Sequence, residues 1–131
     1  MLIRILLIDE HHPAREILAR RLGSLHDLEV VGSTGDSEQG LLWIEQLHPD
    51  LVLLDTKMDR SDGMEICRRA CTSSGSVKVA VLTSFTDQEE RRKARNAGAS
   101  GYLLKEADTR KLVQQIREIA LTECGPRGKA R

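Results

Sequence analysis

The chain has 131 residues, a length that fits one domain with a core of its own. Its composition is 40% hydrophobic, 31% charged and only 2% aromatic, so the core must be mainly aliphatic. Basic and acidic residues cancel to a formal net charge of zero, and no run of eighteen apolar residues occurs. This removes both a global pull toward nucleic acid or a lipid surface and a transmembrane helix.

Short apolar runs alternate with amphipathic stretches along the chain. Ile3 to Ile8 (IRILLI) reads as a buried strand. It meets the acids Asp9 and Glu10 at once and lacks the small-residue cleavage site of a signal peptide. Pro13 to Leu22 has Ile17, Leu18 and Leu22 at helical spacing, with Pro13 suited to a first turn and Gly23 marking the stop. Glu29 to Ser33 predicts a short second strand. Asp36 or Ser37 then caps a helix carrying Leu41, Leu42, Ile44 and Leu47, which Pro49 ends. Leu51 to Leu54 (LVLL) is a continuous apolar run, as expected for a central strand buried on both faces.

Asp62 caps a third helix through Cys71, followed by a Ser/Gly turn over Thr72 to Ser76. Val77 to Leu82 predicts a fourth strand. Thr86 or Asp87 opens a charged helix that ends at Ala97–Gly98, and its Glu89/Lys93 pair at i,i+4 indicates an exposed face. Gly101 to Leu104 predicts a fifth strand. Asp108 or Thr109 caps a last helix with Leu112, Val113, Ile116 and Ile119 at core spacing. Five strands alternating with five helices imply an α/β fold, a parallel sheet doubly wound by right-handed crossovers. One domain over residues 1–121 accounts for all ten elements. Residues 122–131 (TECGPRGKAR) are polar, basic and helix-breaking, the expected start of a linker or tail. Cys67, Cys71 and Cys124 show no zinc-type spacing and read as reduced cytoplasmic thiols.

In open α/β sheets, ligands bind beyond the carboxyl ends of the strands. Asp9 and Glu10 stand there after the first strand, Asp55 after the third, Thr83 and Ser84 after the fourth, and Lys105 after the fifth. Any one of these could be a polar strand end. Together they are hard oxygen ligands suited to Mg2+, a nucleophilic carboxylate, and a hydroxyl and an ammonium to hold phosphoryl oxygens. His11 and His12 read as residues opening the first helix, with a metal role for His11 the weaker reading.

The segments ILLIDEHHPAREIL, DLVLLDTKMDRSDGMEIC, VAVLTSF and AGASGYLLKE resemble the receiver domain of two-component response regulators. The likeness covers Ile3 to Leu121. AGASGYLLKE and LTSFTD look most like receivers of the NarL/FixJ (LuxR-type) group, which precede helix-turn-helix domains. The resemblance implies a flavodoxin-like sheet of order 2-1-3-4-5. It also implies that Asp55 accepts phosphate from a sensor histidine kinase. Asp9, Glu10, Asp55 and the backbone carbonyl of Lys57 would bind Mg2+. Thr83 and Lys105 would bind the phosphoryl group, and Tyr102 would be an aromatic switch. By the resemblance, Lys57 and Phe85 would occupy the positions that influence phosphoryl lifetime in the family, and their bulk predicts slow autodephosphorylation.

The sequence departs from the family pattern in three places. Glu10 stands where Asp is commoner, Met58–Asp59 replaces Met-Pro, and Glu106 replaces a proline after the lysine. Three other readings are weaker. A haloacid-dehalogenase-like phosphatase wants Asp-x-Asp after strand one, and a flavodoxin-like carrier wants a Ser/Thr/Gly phosphate loop. A degenerate receiver acting as a constitutive binding module is suggested by Glu10 and the altered loop, but Asp55, Thr83 and Lys105 all remain. The expected partners are a sensor histidine kinase and, on activation, a second copy of the chain. DNA would be reached only through an output domain that is absent from these residues, and no membrane is involved. The basic helix face of Arg91, Arg92, Lys93 and Arg95 and the pair of first and last helices are the candidate contact surfaces.

Overall fold

A computed structural model describes residues 2–58, 62–73, 77–105 and 108–122. They form β1 (Ile3–Ile8), α1 (His12–Gly23), β2 (Leu28–Thr34), α2 (Ser37–Leu47), β3 (Leu51–Asp55), α3 (Gly63–Ser73), β4 (Lys78–Thr83), α4 (Gln88–Ala97), β5 (Gly101–Leu104) and α5 (Thr109–Leu121). Every strand pair is parallel, in the order β2-β1-β3-β4-β5. This is the doubly wound sheet that the alternation predicts, and its order reverses between β1 and β3. Asp59, Glu106, residues 74–76 of the expected turn and residues 123–131 with Cys124 lie outside the described residues.

The central strand β3 is apolar from Leu51 to Leu54 because both of its faces are covered. Side chains alternate across a strand, so Leu6, Ile8, Val52, Leu54, Val79 and Val81 meet α2, α3 and α4. Ile3, Ile5, Leu7, Leu51, Leu53, Ala80 and Leu82 meet Leu22 of α1 and Leu112, Val113 and Ile116 of α5. Each Val, Leu or Ile buried in this way contributes roughly 1.5–3 kcal/mol. Ile17 and Leu42, expected at core spacing, are exposed. Their helices cover the sheet by a narrow stripe, and these two positions fall outside it. On α4, Glu89 pairs with Arg92 at 2.6 Å, not with Lys93.

Local chemistry fixes the helix ends. The Asp36, Asp87 and Asp108 side chains accept backbone N–H bonds in the first turns of α2, α4 and α5. The end of α2 turns left-handed at His48, just before Pro49, and Arg4 donates to the carbonyls of Leu47 and His48. Helix α3 outlasts its predicted stop at Cys71. The Thr72 and Ser73 hydroxyls donate back to the Arg68, Arg69 and Ala70 carbonyls. Cys67 and Cys71 are both buried, and the Cys71 neighbour together with burial pushes the Cys67 thiol up.

One glycine positions the site. A Cβ on Gly63 would lie 1.9 Å from the Thr56 carbonyl oxygen, so the first turn of α3 sits directly on the residue that follows Asp55. Only glycine allows that approach.

Candidate functional site

The backbone aims the side chains at the carboxyl edge of the sheet. Asp9 leaves β1 with its N–H donating to the Thr34 carbonyl at 2.9 Å. Its own carbonyl accepts from Arg15 Nη1 at 2.8 Å, and Arg15 also donates through Nε to Ser33 Oγ at 3.0 Å. The His11 N–H donates to Asp9 Oδ1 at 2.9 Å. Asp55 is the last residue of β3, and its Oδ1 accepts the Lys57 N–H at 2.8 Å, a short Asx-type turn. Beyond β5, the Lys105 N–H donates to the Thr83 carbonyl at 2.7 Å, which turns the lysine back across the sheet.

Lys105 Nζ consequently lies 2.8 Å from Asp9 Oδ2 and 2.9 Å from Asp55 Oδ2. His11 Nδ1 lies 2.8 Å from Asp9 Oδ1 and 3.1 Å from Asp55 Oδ2. Two buried carboxylates are thus met by an ammonium and an imidazole. Burial opposes the charge of Asp9, but the bonds from Lys105 and His11 outweigh it and hold the carboxyl below its usual value. Burial opposes the Lys105 charge too, and its bonds to Asp9 and Asp55 leave the ammonium above its usual value. The bond to Asp9 raises the His11 imidazole against burial and the neighbouring lysine.

The sequence reading set His11 aside as a helix-opening residue, whereas its ring nitrogen belongs to this cluster. One ligand atom each from Asp9, His11 and Asp55 falls within 4.8 Å of the others, a set that could hold a metal ion. Two hard carboxylate oxygens suit Mg2+ or Mn2+. Glu10 is not among these three residues. It lines a cleft of about 630 Å³ with Asp36, Glu38, Met58 and Glu65.

Thr83 is buried on β4, and its hydroxyl donates to the Phe85 carbonyl at 2.9 Å. Tyr102 is half-buried on β5, and its hydroxyl donates to Glu90 Oε1 at 2.5 Å and accepts the Asp87 N–H at 3.1 Å. Burial and the Glu90 carboxylate push the Tyr102 phenol up. Lys57 is exposed, with its Nζ 3.9 Å from Glu90 Oε1, and Phe85 is 75% exposed. The structure therefore brings Asp9, Asp55 and Lys105 into contact, with Thr83 one strand away from Asp55. It places Lys57, Phe85 and Tyr102 around the start of α4. Sequence reasoning missed two residues, Arg15 and Glu90, both buried charges. Nothing in the string separates Glu90 from its exposed neighbour Glu89, although Asp87-x-x-Glu90 has capping-box spacing.

A parallel doubly wound sheet of this order, with paired acids, a hydroxyl and a lysine at its carboxyl edge, defines a signal-receiving domain. Residues 5–117 match the response regulator receiver domain, and the chain belongs to that family. It is 37% identical over 122 residues to the transcriptional regulatory protein LiaR of Bacillus subtilis, covering 93% of this chain and 58% of that protein. A solved LuxR-family response regulator from Aurantimonas superposes with a TM-score of 0.85 at 29% identity, covering 92% of this chain and 86% of that one. The receiver domain of the putative response regulator NarL from Mycobacterium tuberculosis gives 0.84 at 26% identity, covering 91% and 96%. The chain resembles the LuxR/NarL-type group, as LTSFTD and AGASGYLLKE indicate. It spans somewhat more than half the length of the transcriptional regulators it matches. No described helix is long and apolar enough to cross a membrane.

Proposed function

We propose that the chain is the phosphoryl-accepting half of a two-component switch, with Asp55 as the acceptor. A sensor histidine kinase would be the donor. The P–N bond of its phosphohistidine breaks, an Asp55 carboxylate oxygen forms the new P–O bond, and the histidine nitrogen takes up a proton. The observation that carries this reading is Lys105 Nζ bridging Asp9 and Asp55 at 2.8 and 2.9 Å. An ammonium held there can exchange a carboxylate oxygen for a phosphoryl oxygen without moving far. Apart from its own phosphotransfer and dephosphorylation, the domain would catalyse nothing.

Asp9, Glu10, Asp55 and the Lys57 carbonyl would hold Mg2+, and the carboxylate donors fit a hard cation. The bound ion would neutralise charge on the phosphoryl oxygens during transfer. Lys105 would pair with one of those oxygens, and the Thr83 hydroxyl would leave Phe85 to donate to another. Tyr102 would follow Thr83 and change the surface formed by α4 and β5. Lys57 and Phe85 border this region, and their bulk would slow the water that hydrolyses the acyl phosphate.

Residues 1–121 would form the receiver and residues 122–131 the start of a linker to a DNA-binding output domain. The natural setting would be the cytoplasm, and activation would favour a homodimer. The test is phosphotransfer from labelled donor kinase or acetyl phosphate with Mg2+. The wild-type chain should take up label and Asp55→Asn should take up none. Label retained by the variant would move the acceptor elsewhere.

A further inference from the structure

Glu90 is an acid on the first turn of α4, yet it is only 8% exposed. Its two oxygens serve two hydroxyls from two different strand regions. Thr56 Oγ1, one residue beyond Asp55, donates to Oε2 at 2.9 Å. The Tyr102 hydroxyl, on β5, donates to Oε1 at 2.5 Å. Lys57 Nζ approaches the same carboxylate at 3.9 Å. A carboxylate this buried needs such donors.

The geometry is also a capping box with a residue inserted. Asp87 is the N-cap of α4, its side chain accepting the Glu89 N–H at 2.9 Å. Glu90 is the third residue of the helix, where an acid ordinarily reaches back to the N-cap N–H. Here the Asp87 N–H donates to the Tyr102 hydroxyl instead, and that hydroxyl donates to Glu90. The cap of α4 is thereby completed through a side chain of β5. Arg91 stacks over the same tyrosine ring, 4.8 Å from its centroid.

A competing acceptor lies close by. The Phe85 carbonyl is 3.5 Å from the Tyr102 hydroxyl and already accepts the Thr83 hydroxyl at 2.9 Å. When Thr83 turns toward a phosphoryl group, that carbonyl loses its donor. Tyr102 can then take its place only by releasing Glu90, which frees Glu90 to cap Asp87 directly.

We propose that Glu90 is the positioning residue that opposes the switch: it clasps Tyr102 and the residue after the phosphoacceptor together through one carboxylate, and its release accompanies the exchange of Thr83 for Tyr102 at the Phe85 carbonyl. This rests on the reading of Asp55 as acceptor and of Thr83 and Tyr102 as the moving pair. It adds a residue on which that coupling depends, and a sign. Removing the Glu90 charge weakens the resting arrangement and shifts the population toward the switched one.

Tyr102 is the only tyrosine in the chain, so 3-fluorotyrosine gives a single fluorine resonance. The reference positions are the wild-type chain alone and the wild-type chain with acetyl phosphate and Mg2+. In Glu90→Gln without any phosphoryl donor, the resonance should move from the first position toward the second. Its labelling rate with acetyl phosphate should rise about fivefold or more. Thr56→Val, which cuts the other arm of the clasp and keeps the side-chain volume, should move the resonance in the same direction. Glu89→Gln, an exposed charge change one residue away, should leave both readouts at their wild-type values.

A Tyr102 resonance that stays in place in Glu90→Gln and Thr56→Val overturns the proposal, as does an unchanged labelling rate in Glu90→Gln or an equal response in Glu89→Gln. A wild-type chain that takes no label refutes the acceptor reading instead. The displacement of the resonance by Glu90→Gln is measured without a donor, so the two failures are distinguishable.

Discussion

Replacing Lys105 with Met removes the ammonium that touches both Asp9 and Asp55 while keeping most of the apolar stem. At contacts of 2.8 and 2.9 Å the attraction to each carboxylate is about 6 kcal/mol for an effective dielectric near 20. The cost of withdrawing the charges from water opposes this. Breaking a buried pair typically costs about 3–5 kcal/mol net because a buried charge is left behind. His11 remains as a partial counterion 2.8 Å from Asp9 and 3.1 Å from Asp55, so the cost falls at or just below the low end of that range, about 2–3 kcal/mol. For a domain of this size that corresponds to a fall of roughly 8–12 °C in Tm. Thermal unfolding followed by circular dichroism at pH 7 measures it. Mg2+ at millimolar concentration should raise the Tm of Lys105→Met more than that of wild type, because a divalent cation replaces the missing charge between the carboxylates. A variant as stable as wild type without Mg2+, or one that gains no more from Mg2+ than wild type does, would refute the electrostatic account of the cluster.

Gly63→Ala places a methyl group 1.9 Å from the Thr56 carbonyl oxygen, and backbone cannot yield as a side chain can. It should destabilise the chain by about 1–3 kcal/mol in urea unfolding and slow acetyl phosphate labelling, because the strain falls on the residue beside Asp55. The Asp27 carboxylate, bonded to Arg117 Nε at 2.8 Å and Nη2 at 2.9 Å, is held below its ordinary value by those bonds. Its folded-state value is depressed, so its contribution is present above the ordinary value of 3.8 and is lost as pH falls through the folded-state value. Asp27→Asn should therefore be less stable than wild type at pH 7, with the gap closing below that range, as read by unfolding at a series of pH values.

The alternation of apolar runs and capped amphipathic stretches determined by itself the ten elements, the parallel sheet and the edge where chemistry gathers. Periodicity and capping are local, and a parallel sheet leaves few ways to connect them. Asp55, Thr83 and Lys105 were legible for the same reason, since each directly ends or follows a strand. Tertiary structure alone decided which charges meet. Ile17 and Leu42 keep helical spacing yet face solvent, because the covered stripe depends on how each helix lies on the sheet. His11 joins the cluster because the turn after β1 brings its ring within 2.8 Å of Asp9 and 3.1 Å of Asp55, and Glu10 lines a cleft with Asp36 and Met58. Glu90 reads as one acid among many on a charged helix. Only the approach of α4 to β3 and β5 brings the Thr56 and Tyr102 hydroxyls within hydrogen-bond reach of its carboxylate. Contacts between residues 34 and 12 positions apart leave no mark in a local pattern, and a buried charge shows its meaning only once its partners are in place.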